Sequence, residues 1–277
     1  MVDKRRRYIV VLDTETCPLD KDFKGVTPYN MFVYDIGWAV VDKHGNVYET
    51  KSYINRDIFM DEKTLMQSAY YSNKIPKYWD DIKSGKRTVA SWYNIRKDLF
   101  DTMKKYNTKI VSAHNARFDD GATKNTQRWL TKSKYRNFLP YGTILWDTMK
   151  MANDVIAKTP TYKAFCVENG YMTKHKTPRP QVKAEVLYRY ISGNDDFVES
   201  HTGLEDVLIE KEILAYCFRK HKPMRKRLYE NKVAPKKKTS EEKKENKYKY
   251  LTGKTLNGSP ITMCLDITSD GHWLLKN

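Results

Sequence analysis

The sequence predicts an α/β protein, a mixed sheet flanked by helices, with a basic C-terminal extension. Three observations carry this. The unbroken apolar run from Tyr8 to Leu12 reads as a strand buried on both faces. Two more strand-like stretches, 33–41 (VYDIGWAVV) and 47–54 (VYETKSYI), flank the polar DKHGN, which suits a hairpin turn. Beyond residue 60, strand-like and helix-like segments alternate, and hairpins followed by β–α alternation give a mixed sheet.

In chain order, 8–13 is the first strand and 33–41 with 47–54 the hairpin. Residues 61–70 and 89–106 have helix-like apolar spacing. KIVSAHN (109–115) is a short strand, followed by a helix over about 118–132. TILWDTMKMA (143–152) reads as a strand running into a helix, and helices at 161–169, 183–192 and 203–220 complete the pattern. After His221 few large apolar residues remain, so 222–250 reads as a charged linker or exposed helix. Residues 251–277 regain an apolar pattern around SDG, suiting a small β appendage that docks on the main domain. No motif assigns a role to residues 60–87.

A chain of 277 residues can bury a sizeable core in one large domain. Its 40% hydrophobic and 31% charged residues suit a soluble globular protein. The net charge of +17 favours a polyanionic partner, with nucleic acid the leading candidate. Charge is densest over 222–250, where twelve Lys/Arg face four Glu. The stretch AYYSNKIPKYW (69–79) mixes aromatics with lysines; it suits base stacking and phosphate contact, or ordinary helix packing beside a solvated loop. Cys17, Cys166, Cys217 and Cys264 are scattered, with no zinc spacing or disulfide framework, so a reducing cytoplasm is expected. No apolar run approaches the roughly 20 residues a membrane span needs. The basic start MVDKRRR has the look of a signal peptide, but the apolar run behind it is too short.

Three motifs carry candidate chemistry. In LDTET, Asp13 and Glu15 are two residues apart at a strand end, so their side chains share a face. Two adjacent carboxylates resist joint ionisation, and a hard divalent cation removes that conflict. The alternative is a solvated strand end before Pro18. In AHNARFDD, Asp119 follows a strand where a helix begins, the usual mouth of an α/β sheet; it also suits a plain helix-dipole contact. In HTGLEDVLIEKEIL, Thr202 and Glu205 fit a capping box that starts a helix near Gly203. His201 then stands just outside the helix and Asp206 within its first turns, a division suited to proton carrier and metal ligand. An exposed loop histidine and a dipole contact are the ordinary readings of the same pair.

Taken together and in order, D-x-E, N-x-x-F-D and H-x(4)-D resemble the DEDDh 3′→5′ exonucleases, the DnaQ-like superfamily that includes polymerase proofreading subunits and ribonuclease T. The likeness spans residues 5 to about 220. It implies a ribonuclease H-like fold with a five-stranded mixed sheet over residues 1–221, and two divalent cations, Mg2+ or Mn2+. By position, the resemblance makes Asp13, Glu15, Asp119 and Asp206 the metal ligands and His201 the general base. Thr14 and Thr16 would lie beside the terminal nucleotide, and Asn115 and Phe118 would shape the pocket. Asp120, about 100° further round the helix, is expected to be solvated. The implied reaction releases nucleoside 5′-monophosphates from single-stranded 3′ ends, DNA favoured over RNA; a proofreading role with a polymerase or replication partner, a freestanding enzyme and a phage-type accessory nuclease all stay open. Two alternatives stay open: an RNA-trimming enzyme of the same family, and a nucleic-acid-binding protein without activity, against which the intact set of five residues argues.

Overall fold

The computed structural model describes residues 2–3, 5–18, 30–67, 69, 72–132 and 137–230, and the strands 248–254, 260–267 and 273–275. The chain divides into two units, residues 1–232 and 233–277.

The first unit is built on β1 (Ile9–Pro18), β2 (Met31–Val41) and β3 (Val47–Asn55), a meander of antiparallel neighbours. After the short helices α1 (Arg56–Phe59) and α2 (Lys63–Gln67) come a 3-10 turn at Ser72–Lys74 and α3 (Ile75–Lys83). Then follow β4 (Thr88–Ala90), α4 (Trp92–Lys105), β5 (Ile110–Ala113), α5 (Arg117–Leu130), β6 (Ile144–Asp147) and α6 (Thr148–Val155). Helices α7 (Pro160–Glu168), α8 (Ala184–Ser192) and α9 (Gly203–Arg219) precede the last strand, β7 (Arg227–Glu230). Sheet order is β4-β3-β2-β1-β5-β6-β7, with β1, β5 and β6 parallel.

The sheet therefore has seven strands where five were expected, and both additions are edges. Residues 88–90, the last two of which were read as the start of a helix, form β4 beside Tyr53–Asn55. The helix waits for Ser91, whose Oγ accepts the Asn94 N–H at 3.3 Å. At the other edge β7 pairs antiparallel with β6, so residues 227–230 belong to the sheet although the charge of 222–250 reads as linker. A four-residue edge strand rich in Arg and Glu carries almost no local signal. In the second unit, β8 (Tyr248–Lys254), β9 (Pro260–Ile267) and β10 (Trp273–Leu275) form an antiparallel sheet of order β10-β9-β8. The first of these strands starts at Tyr248, inside the stretch 222–250 read as linker. The Lys-rich run 231–247 and the SDG turn lie outside the described residues.

Alternation along β1 supplies both faces of the core. Tyr8, Val10 and Leu12 pack with Trp92, Ile95 and Leu99 of α4, while Ile9 and Val11 pack with Val207, Ile213 and Leu214 of α9 and with α6–α8. Ile9–Leu12 are each at most 3% exposed, and full burial of such side chains contributes about 1.5–3 kcal/mol apiece. A third cluster joins Cys17, Phe32, Tyr34 and Ile54 to Ile58, Phe59 and Tyr78, so the segment after β3 has a core of its own. Among the described residues, no helix is long and apolar enough to cross a membrane.

Helix α9 meets β2 backbone to backbone at Gly37 and Gly203. A Cβ on Gly37 would stand 2.4 Å from Leu204 N, and one on Gly203 would stand 2.8 Å from Gly37 N. Neither contact can yield without moving main chain. Gly37→Ala is therefore expected to destabilise the protein by about 1–3 kcal/mol or more, read from a urea midpoint. An unchanged midpoint would mean that the start of α9 is free to shift.

Candidate metal centre

The C-terminal ends of the parallel strands β1 and β5 converge with the first turns of α5 and α9, the position where open α/β sheets bind ligands. Asp13 and Glu15 share one face of β1, the face covered by α9. A bulge between Glu15 and Thr16 shifts the register with β2, and pairing resumes from Thr16 opposite Val33 to Pro18 opposite Met31, a placement common for bulges beside functional sites. Asp206 reaches the same end from α9. One ligand atom from each of Glu15, His201 and Asp206 lies within 4.8 Å of the other two.

Asp119 arrives from the opposite side of the sheet, in the first turn of α5. The Thr14 hydroxyl donates to Asp119 Oδ1 at 2.8 Å. Thr14 is buried with its hydroxyl spent on this bond, so it acts as a bracket between β1 and α5. Thr16 is half-buried beyond the bulge. Asn115 is exposed at φ 61°, and its carbonyl accepts the Phe118 N–H at 2.8 Å. Phe118 packs against the α4 side of the core.

Asp120 does turn away from the acids, but it is not solvated. Its carboxylate accepts from Lys124 Nζ at 2.7 Å and from the Tyr229 hydroxyl. The edge strand β7, unforeseen from sequence, supplies that tyrosine and covers the position.

Helix α9 begins at Gly203 as expected, yet its cap is wired differently from the T-x-x-E pattern. Thr202 N–H donates to Asp206 Oδ2 at 3.0 Å, and Thr202 Oγ1 donates to Glu205 Oε2 at 2.8 Å. Glu205 cannot turn back to the backbone because Arg87 Nη2 and Lys86 Nζ hold it, at 2.7 and 2.8 Å. Asp206 is thereby braced by its own helix start. His201 sits on the preceding loop at φ 49°, with Nδ1 3.8 Å from Glu199 Oε2. Lys74 Nζ donates to the Ser200 carbonyl beside it.

Three polar residues at the site had escaped notice. Glu210 lies one turn beyond Asp206 and is 3% exposed; the i,i+4 spacing in DVLIE was the signal that could have found it. Glu199, in an irregular loop, had none, while Lys74 belongs to AYYSNKIPKYW, whose lysines were read for phosphate contact and not for a place beside the acids. Of the AYYSNKIPKYW aromatics that the structure describes, Tyr78 is buried on Asp35, and Trp79 packs on Phe59 while remaining 40% exposed.

Electrostatics follow from this crowding. Burial, then the charges of Glu210, Asp119, Asp206 and Glu15, holds the Asp13 carboxyl well above the usual carboxylate range. Glu15 is raised by burial and then by Asp206. Burial pushes Asp119 up to about 7 against the hydrogen bond from Thr14. Asp206 rises to about 8 through burial and the Glu199 charge. His201 moves down, through burial first and the Lys74 charge second. All the acidic donors are hard oxygens, and one of them, Glu210 Oε2, is buried with no hydrogen-bond partner among the described residues. Such a set fits divalent cations of the magnesium and manganese type.

These shifts set a pH dependence. Folded Asp119 and Asp206 hold protons that unfolded aspartates release near pH 3.9, so between about pH 4 and 8 the folded state binds more protons. In chelator, stability should fall as pH rises from about 5 to 8. Glu205, lowered to about 2 against its burial by Lys86 and Arg87, acts in the other direction only below that window. Added Mn2+ should reverse the trend and release protons as it binds. A melting temperature that is flat or rising over pH 5–8 in chelator would show the acids already ionised.

Compared with solved structures, the chain is similar to a crystallised full-length 3′-exonuclease, at TM-score 0.50 and 15% identity over 85% of this chain and 70% of that one. It is also similar to exonuclease X in complex with 5′-overhanging duplex DNA, at TM-score 0.33 and 16% identity over 76% and 91%. A third is S. pombe Pop2p in its Mg2+- and Mn2+-bound form, at TM-score 0.39 and 12% identity over 77% and 83%. No protein-family model and no curated protein matches the sequence.

Proposed function

We propose that this chain, with its ribonuclease H-like exonuclease fold, is a metal-dependent 3′→5′ exonuclease that hydrolyses the terminal phosphodiester of a nucleic acid and releases nucleoside 5′-monophosphates. The observation that carries the reading is the grouping of Glu15, Asp206 and His201, whose ligand atoms lie within 4.8 Å of one another at one end of the sheet, with Asp13 feeling the charges of Asp119, Asp206 and Glu15 beside them. Buried carboxylates held near one another are costly unless a positive charge joins them.

Asp13, Glu15, Asp119 and Asp206 would hold two divalent cations, Mg2+ or Mn2+. Bound there, such ions lower the cost of negative charge on an attacking water and on the leaving oxygen of an in-line displacement. The protein's own groups do the rest. His201, with its pKa lowered, is neutral at pH 7 and accepts the proton of the water. Thr14 keeps Asp119 aimed at the strand end, and Thr202 N–H does the same for Asp206. Asn115, at the rim of the cavity that Asp13 and Glu210 line, and Phe118 border the terminal nucleotide. The net charge of +17 favours retention of the remaining strand. Single-stranded DNA is the favoured substrate, presented by a polymerase or replication partner.

The test is digestion of end-labelled DNA and RNA oligonucleotides with Mg2+, Mn2+ or chelator. Stepwise loss from the 3′ end in metal alone is expected, and the strand shortened faster identifies the sugar. Asp13→Ala, Glu15→Ala, Asp119→Ala and Asp206→Ala should each lose most turnover while remaining folded; Asp120→Ala should retain it. Activity that survives in Asp119→Ala but vanishes in Asp120→Ala would mean the neighbouring acid is the ligand. A folded protein inert on both polymers would return the chain to the binding-protein reading.

A further inference from the structure

Glu210 is placed as no ordinary core residue is. In a helix, positions four apart lie one above the other on the same face, so Glu210 follows Asp206 on the face that α9 turns toward β1. One oxygen is anchored: Glu210 Oε1 accepts the His114 backbone N–H at 3.1 Å. His114 is itself immobilised, with Nδ1 3.0 Å from Thr148 Oγ1 and Nε2 2.6 Å from the Val182 carbonyl. The whole group thus has one orientation. That orientation leaves Oε2 buried with no hydrogen-bond donor among the described residues.

Such an oxygen is costly. An unpaired polar atom removed from water costs about 1–3 kcal/mol, and an ionised one more. Protonation does not resolve it, because a neutral carboxyl still needs an acceptor for its O–H. Glu210 lines a cavity of about 670 Å³ together with Asp13, Glu199 and Asn115. Among the described residues none of these acids brings an oxygen within hydrogen-bond reach of Oε2. A divalent cation would supply the partner that it lacks.

We infer that Glu210 is a fifth carboxylate of the metal centre, a further oxygen ligand from α9 that lines the same cavity as Asp13. This rests on the reading of Asp13, Glu15, Asp119 and Asp206 as metal ligands, and assigns to the same site a residue which that reading does not include. A fifth acid raises the negative charge facing the cations, so the protein should bind them more tightly than four carboxylates would.

The experiment titrates Mn2+ into the metal-free full-length protein by calorimetry, without substrate, for the wild type, Asp13→Asn and Glu210→Gln. Glutamine keeps the acceptor for His114 N–H and the shape of the side chain, and removes only the charge. A ligand role predicts a loss of Mn2+ affinity of about 10-fold or more in Glu210→Gln, with a melting temperature in chelator that holds or rises. Should Glu210→Gln fold poorly, Glu210→Met gives the same readout, since an apolar chain of similar length needs no partner in that pocket. If Asp13→Asn loses affinity and both Glu210 variants bind Mn2+ as the wild type does, Glu210 is a core acid satisfied by water and the inference is overturned. If Asp13→Asn also binds as the wild type does, the metal centre itself is wrong and the inference falls with it.

Discussion

Replacing Arg87 with methionine is expected to cost about 3–5 kcal/mol of stability, the range for breaking one half of a buried ion pair. Arg87 is 2% exposed and Asp35 fully buried. Arg87 Nη1 reaches both oxygens of Asp35 at 3.1 Å and Ser52 Oγ at 3.0 Å, while Nε donates to Asp81 at 3.0 Å and Nη2 to Glu205 at 2.7 Å. Methionine would leave Asp35 with only the Tyr78 hydroxyl at 2.9 Å and the Gly203 N–H at 3.0 Å. Those two bonds cannot balance an ion removed from water. Lys86 supplies the contrast: it also pairs with Glu205, but its side chain is 53% exposed, and Lys86→Ala should cost at most about 1 kcal/mol. Chemical denaturation of the two variants decides. Equal losses would mean that the Arg87 network is no stronger than a surface pair. The double variant Arg87→Met/Asp35→Leu should recover part of the loss, since it removes the stranded charge. Tyr78, Asp81, Lys86 and Arg87 thus tie the start of α9 to Asp35 of β2.

Substituting His201 with alanine is expected to slow turnover by about 10²–10⁴-fold, the usual contribution of a general base. Mn2+ affinity of the substrate-free protein should hold. The carrying observations are its place outside α9 at φ 49° and its lowered pKa, set by burial and by Lys74. The acid limb of wild-type activity should accordingly lie below pH 6.5, where the imidazole takes up a proton. Single-turnover rates at saturating Mn2+ separate this from the competing role. His201 lies as near to Glu15 and Asp206 as a ligand would. If His201→Ala weakens Mn2+ binding and keeps its rate at saturating metal, the imidazole is a ligand and the proton goes elsewhere.

What the sequence by itself determined is what local periodicity can encode. Alternation in β1 places Asp13 and Glu15 together on one face, whatever packs there. The order of hairpin strands and later β–α units was legible because apolar spacing changes between periods of 2 and 3.6. The start of α9 at Gly203 was legible too, whereas a meeting of the four acids was only what the likeness of the three ordered motifs to a known family implied. What only the tertiary structure decided lies in pairings between distant positions. Asp35 accepts from Gly203 across 168 residues, and Arg87 reaches Glu205 across 118. Glu205 therefore abandoned the capping box that its spacing suits. Edge strands β4 and β7 exist because a neighbour offers them hydrogen bonds, and their own three or four residues hold too little apolar pattern to announce it. The hydrogen bond from Thr14 to Asp119 spans 105 residues, from β1 to the helix packed on the same face as the Thr14 side chain, and nothing local announces it. The i,i+4 spacing puts Glu210 on the face of Asp206, but its burial, and an Oε2 with no hydrogen-bond partner among the described residues, come only from the packing of that face.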